Sequence, residues 1–204
     1  MKFTWIGHSC FKVESCGSSI VLDPYRAGTV PGLRPVVEQA DAVLCSHEHP
    51  DHNGREQVAL TGRSCGLRVT TIQSYHDEVK GAKRGANQIV ILEDGQTKAA
   101  HFGDIGCELE PEQMEQLKGL DVALIPVGGF FTIDGKQAAA LAKALAPKVV
   151  IPMHYRMDGV GFDLIGTVEA FTKWMEPVTV TDASVYDTQQ NLAGTVVLTP
   201  ANHQ

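Results

Sequence analysis

Between positions 47 and 53 the chain reads His-Glu-His-Pro-Asp-His-Asn, and no other stretch narrows its possible structures as much. His47, His49, Asp51 and His52 place imidazoles and a carboxylate almost side by side. An apolar interior gives no reason for such a cluster, because each ring would need its own buried partner. Imidazole and carboxylate together are the donors that hold zinc, manganese or iron at neutral pH. A solvated, His-rich loop is the competing explanation, natural for one or two histidines but not for this arrangement. In an extended segment His47 and His49 point the same way and can share one ion. Asp51 and His52 follow at a bend and can turn toward a second.

The flanking residues place the cluster on a loop at the end of a strand. Residues 42–46 (Ala-Val-Leu-Cys-Ser) read as a short buried strand that runs into it. Asn53-Gly54 then offers a turn and a helix cap. Loops held by rigid strands are where chemistry tends to sit. Further strands are expected at 2–6, 9–14, 19–22, 69–73, 88–92 and 98–102, the last two joined by the Asp94-Gly95 hairpin signal. The second half alternates strands at 122–127, 149–153, 178–181 and 195–198 with helices. A helix at 112–118 is introduced by Pro111. A second starts at Asp134 and runs to about Ala146, before Pro147, and a third spans 167–175. Strands first, then alternation, suggests two sheets covered by helices. His76, Asp104 and His154 each follow a predicted strand. Strand ends of one sheet share an edge, so these three can meet the 47–52 loop in space.

With 204 residues the chain is read as one domain, 1–204, able to bury a core without staples. A net charge of −7 argues against general nucleic-acid binding. The five cysteines form no C-x-x-C pair. Together with the absence of a signal peptide at the start, they suggest a reducing, cytoplasmic setting. Cys45 reads as a small buried hydrophobe. No apolar run is long enough for a membrane span.

These residues make the chain resemble the metallo-β-lactamase-fold superfamily. His47-x-His49-x-Asp51-His52 matches that family's H-x-H-x-D-H signature, and His76, Asp104 and His154 match its later histidine, aspartate and histidine. The resemblance implies an α/β (α+β) fold, a four-layer αβ/βα sandwich with its site at one edge of the sheets. Three stretches look like the ascorbate-6-phosphate-lactonase-like branch of metal-dependent hydrolases: 5–11 (Trp-Ile-Gly-His-Ser-Cys-Phe), 126–132 (Pro-Val-Gly-Gly-Phe-Phe-Thr) and 151–155 (Ile-Pro-Met-His-Tyr). By position, the resemblance implies that His47, His49 and His76 hold one metal, that Asp51, His52 and His154 hold another, and that Asp104 bridges them. Histidine at 49, where redox diiron relatives typically carry Glu, favours hydrolysis. The separation between His52 and His76 is short for the family, so the helical insert there is expected to be short or missing.

The chemistry expected from this resemblance is a binuclear hydrolase. Two divalent ions, Zn2+ first with Mn2+ or Fe2+ as alternatives, share a water about 4 Å-spaced ions can turn into a nucleophilic hydroxide. It would cleave an ester or lactone bond of a small molecule, phosphorylated or not. A phosphodiesterase of the same fold is the alternative, and a non-catalytic metal-binding or sensing protein a third reading. Asp51, Asp104 and His154 are the expected catalytic residues. His8, Asp23 and His101 are candidates for orienting the ligands from behind. Tyr155 is a candidate for stabilising an oxyanion, and Arg156 and Lys136 for receiving an anionic group of the substrate. Glycines 128 and 129 would allow a close backbone approach, in what otherwise reads as a strand-to-helix connection. No nucleic-acid or membrane partner is expected, and a homo-oligomer is allowed.

Overall fold

The structure is a computed structural model that describes residues 1–203. Its strands are β1 (Lys2–Gly7), β2 (Cys10–Ser15), β3 (Ser18–Leu22), β4 (Glu38–Ala40), β5 (Ala42–Leu44), β6 (Val58–Leu60), β7 (Arg68–Tyr75), β8 (Ala86–Glu93), β9 (Lys98–His101), β10 (Val122–Pro126), β11 (Val149–Met153), β12 (Val178–Val180), β13 (Val185–Asp187) and β14 (Gly194–Val197). The helices are α1 (Pro111–Gln116), α2 (Gly135–Leu145) and α3 (Glu169–Thr172). They build the expected α+β sandwich. One sheet has the order β13-β1-β2-β3-β5, the other β12-β14-β11-β10-β9-β8-β7, and β4 pairs with β6 apart from both.

Strand direction explains where a site can form. β1 and β3 are both antiparallel to β2, and β5 is parallel to β3, so β1, β3 and β5 run the same way. In the larger sheet β7 and β9 are both antiparallel to β8, while β10 and β11 are parallel to β9. The C-terminal ends of these strands therefore share one edge of each sheet.

Alternation along the strands divides the apolar side chains between two cores. Phe3, Trp5, Phe11, Val13, Ile20 and Leu22 face the large sheet and join Ile89, Phe102, Leu124 and Ile151 in the main core. Ile6, Cys10 and Val21 face the other way and pack on Val30, Leu33, Val36 and Val58. The outer cover of the small sheet is thus the 30–36 loop and the β4-β6 pair. Among the described residues all three α-helices fall between β9 and β12, within the chain that builds the large sheet.

α2 forms as its sequence predicts. Asp134 accepts from the Gln137 amide at 2.8 Å, and Gln137 returns a bond to the Asp134 amide. Ala138, Ala139, Ala142 and Leu145 are its buried face, and Ala146 closes it in the left-handed region. Helices expected at 112–118 and 167–175 are shorter, and β4, β6 and β13 were not foreseen. After the histidine cluster only a single 3-10 turn forms, Arg55–Gln57, with no side-chain cap. Asn53 turns back to Glu48 instead, donating to its carbonyl at 2.9 Å. No helix is long and apolar enough to cross a membrane among the described residues.

Candidate metal centre

The predicted ligands follow the C-terminal ends of four strands, the 47–52 loop after β5 in the small sheet and, in the large sheet, His76, Asp104 and His154 after the like-directed β7, β9 and β11. His8 follows β1 and Asp23 follows β3 on the same edge. His8, Asp23 and His154 all take left-handed backbone, with φ of 54°, 45° and 53°. Such residues cost of the order of 1 kcal/mol or more each, and they cluster where a strand end must aim a side chain.

Two donor groups lie together here. His47, His49 and His76 form one, and Asp51, His52 and His154, with His8, form the other, while Asp23 makes a third grouping with His47 and His52 that straddles them. Asp104 stands between them. Its Oδ2 is 3.2 Å from His52 Nε2, 3.2 Å from His76 Nε2 and 3.1 Å from His154 Nε2. His47 Nε2, His52 Nε2, both ring nitrogens of His154 and Asp104 Oδ1 are buried without a hydrogen-bond partner. Buried polar atoms are almost always satisfied, so the unpartnered Nε2 atoms of His52 and His154, both facing Asp104, fit a cation. All seven side chains that the sequence nominated as ligands are brought to this one place.

Hydrogen bonds from behind set the tautomers. Asp23 accepts from the Ser46 amide and from Ser46 Oγ, both at 2.6 Å, and from His52 Nδ1 at 2.7 Å. Because the Ser46 hydroxyl proton goes to Asp23, its oxygen accepts from His47 Nδ1 at 2.9 Å. The Phe131 carbonyl accepts from His76 Nδ1 at 3.0 Å. With Nδ1 engaged in this way, Nε2 is the ring nitrogen that His47, His52 and His76 turn toward the centre, the one that ligation would use. His101 plays a different part from the one expected. Its Nδ1 accepts from the Gly103 amide at 3.1 Å, so its Nε2 donates to the Ser9 carbonyl at 2.8 Å. It ties the two sheets together and bends the chain toward Asp104 without touching a ligand ring.

Electrostatics follow from burial and mutual contact. Burial and the nearby His52 push His47 down to about 3, and burial with His154 beside it takes His8 down to about 4, so both are neutral at pH 7. Burial would lower His52 too, but Asp104 and Asp23 outweigh it and raise it well above the usual histidine range. Burial would raise Asp104, but the facing His154 and His52 hold it well below the usual carboxylate range. Burial pushes the Cys45 thiol up to about 12, so it stays protonated and takes no part.

Other expectations are relocated. Tyr155 turns into the core against Trp5, ring centres 5.4 Å apart, and its hydroxyl is buried without a hydrogen-bond partner. Lys136 lies over the Trp174 ring at 6.0 Å, on the flank of α2. Arg156 is exposed and borders a cleft of about 500 Å³ that also carries Asp158 and Asp163, a poor setting for an anion. Gly128 does allow a close approach: a Cβ there would stand 2.2 Å from the His154 carbonyl oxygen. Three organising residues were missed. Ser46 was signalled only by preceding His47. Buried Asn87 donates to Ser74 Oγ and to the Phe102 carbonyl, and accepts from the Asp104 amide at 3.0 Å. Asp77, buried directly after His76, is the third.

Residues 2–154 match the family described as Beta-lactamase superfamily domain. A metal-dependent hydrolase of Nitratidesulfovibrio vulgaris is 32% identical, over 76% of this chain and 80% of that protein. Among solved structures, one described as a Zn-dependent hydrolase of the metallo-beta-lactamase superfamily from Thermotoga maritima is 30% identical. It covers 97% of each chain with a TM-score of 0.78. Igni18, a metallo hydrolase of Ignicoccus hospitalis, is 25% identical, covers 79% of this chain and 86% of its own, and has a TM-score of 0.58.

Proposed function

Because this chain belongs to the β-lactamase superfamily and is one of its metal-dependent hydrolases, we propose that it holds two divalent ions and cleaves an ester or lactone bond of a small molecule. The observation that carries this reading is the placement of Asp104 Oδ2 within 3.1–3.2 Å of three imidazoles drawn from both donor groups. His47, His49 and His76 would hold one ion and Asp51, His52 and His154 the other, with Asp104 facing both groups. Zinc suits this nitrogen-rich set first, and manganese or iron(II) are the alternatives. When bound, such ions polarise the substrate oxygen under attack and lower the pKa of water.

The chain's own residues do the rest. Asp51 is held well below the usual carboxylate range; burial would raise it, but the bond from His8 and the charge of His52 lower it. Its carboxylate therefore stays ionised, accepts a hydrogen bond from the attacking water and orients it. His8 Nε2, 3.3 Å from Asp51 Oδ2, keeps that carboxylate in position. Asp104 balances the charge gathered between the two groups. Ser46 is not a nucleophile, since its hydroxyl is spent between Asp23 and His47.

The test is elemental analysis of the purified protein beside turnover of a simple lactone and a simple phosphodiester. Two ions per chain with lactone hydrolysis is the expected result. Turnover of the phosphodiester alone would transfer the reading to the phosphodiesterase alternative. His49→Ala is expected to lose bound metal and activity together while its circular dichroism stays native. Full activity in that variant would show the ligand assignment to be wrong.

A further inference from the structure

Asp77 directly follows His76 and is buried. Its carboxylate accepts the backbone amides of Val79 at 3.0 Å, Gly81 at 2.8 Å, Lys83 at 2.9 Å and Arg84 at 2.7 Å. The loop after β7 is therefore a tight, internally bonded turn, and the Arg84 backbone is anchored to the residue beside a metal-site histidine. On the other side of that histidine stands Phe131, whose carbonyl accepts from His76 Nδ1. The two meet: the Arg84 guanidinium lies over the Phe131 ring, 5.7 Å from its centre. Phe131 stands edge-on to Phe162 at 6.0 Å, and Phe162 edge-on to His8 at 5.5 Å. An aromatic wall thus runs from Arg84 to His8 beside both donor groups.

Arg84 is half-buried, and unlike Lys83, which pairs with Glu78, it makes no ion pair among the described residues. A guanidinium seated on an aromatic face and free of carboxylates keeps its planar fork of donors for an external oxyanion. Phe130, next to the wall, is 58% exposed and sits at φ 61°, a strained backbone for a bulky residue. Strain of this kind collects at ligand sites.

We infer that Arg84, Phe131 and Phe162 form the substrate subsite, which takes a planar or apolar body ending in an oxyanion, a carboxylate or a phosphate. The inference rests on the metal-hydrolase reading above and assigns the substrate's far end. Arg84 replaces Arg156 and Lys136 as the anion receiver.

Hydroxamates test it, because the hydroxamate chelates bound metal and leaves the rest of the molecule to report on the wall. Zinc-loaded protein is titrated calorimetrically with benzohydroxamate and with its meta- and para-carboxy and phosphono derivatives. The wild type is expected to bind at least one anionic derivative about tenfold more tightly than the parent. Whichever anion gains more names the natural terminus. Arg84→Ala, which leaves the backbone bond to Asp77 in place, is expected to abolish the difference with zinc content and benzohydroxamate affinity unchanged. Phe162→Ala is expected to weaken all the probes several-fold. Equal binding of parent and derivatives by the wild type, or a preference that survives Arg84→Ala, would overturn the subsite and leave the metal centre standing. Failure of every hydroxamate to bind would overturn the metal reading and the subsite with it.

Discussion

Asp23 shows how much a single buried carboxylate can organise. Through Ser46 and His52 it orients two of the proposed ligands, one from each donor group. Burial opposes its ionisation, yet the surrounding His101, His52 and His47 hold it below the usual carboxylate range. Asp23→Asn keeps the shape but puts a poorer acceptor, and on one side a donor, against Ser46 and His52. Zinc affinity is expected to fall about 10- to 100-fold, as for other partners of metal-bound histidine. Competition with a chromogenic chelator measures this, and an unchanged affinity would mean that Asp23 does not orient ligands. The ligand types themselves were legible at this scale, because three strand-end residues, weak signals singly, stand alongside the dense His47–His52 cluster. Ser46 and Asn87 were not, since nothing in a lone polar residue says which carboxylate or amide it will meet.

At the scale of elements, α2 and the 77–84 turn make the clearest predictions. Asp134→Ala removes the acceptor for the Gln137 amide and is expected to cost about 1 kcal/mol in urea unfolding. The turn depends on an ionised Asp77. Burial would raise it, but the amides of Arg84, Gly81, Lys83 and Val79 bring it down to about 2, below its ordinary 3.8. A depressed folded value means that the stabilisation is complete above about pH 4 and fades as pH falls toward 2. The protection factors of the Val79, Gly81, Lys83 and Arg84 amides, taken against their intrinsic exchange rates, are expected to fall over that interval in wild type. Protection that stays constant there would remove Asp77 from its organising role. Long apolar strands and the capped helix could be read from pattern alone. β4, β6 and β13 could not, because their strand character rests on pairing with segments distant in the chain, β4 with β6 and β13 with β1.

For the molecule as a whole, the converging imidazoles link folding to metal. Orphaned buried nitrogens destabilise the metal-free protein, and an ion that binds only the folded state stabilises it by mass action. Zinc-loaded protein is expected to melt above chelator-treated protein, with a gap that widens as free zinc rises. Identical melting curves would mean that these side chains hold no metal. The bands of β1, β3 and β5 in one sheet and β7, β9 and β11 in the other carry the centre, so it is assembled only when both sheets have closed on the main core.

The sequence by itself determined which side chains are candidate donors and most of the strands that present them, because ligand chemistry and β-periodicity are local properties of residue type and spacing. The spacing of His47, His49, Asp51 and His52 is enough to nominate a metal loop, and the strands before His76, Asp104 and His154 are enough to nominate its partners. Only the tertiary structure decided that Asp104 stands among three imidazoles, that Asp23 and the Phe131 carbonyl set their tautomers, and that Arg84 rather than Arg156 or Lys136 lies beside the site. Those facts depend on residues far apart in the chain meeting at one sheet edge. Strand direction and sheet packing fix such meetings, and no local pattern records them.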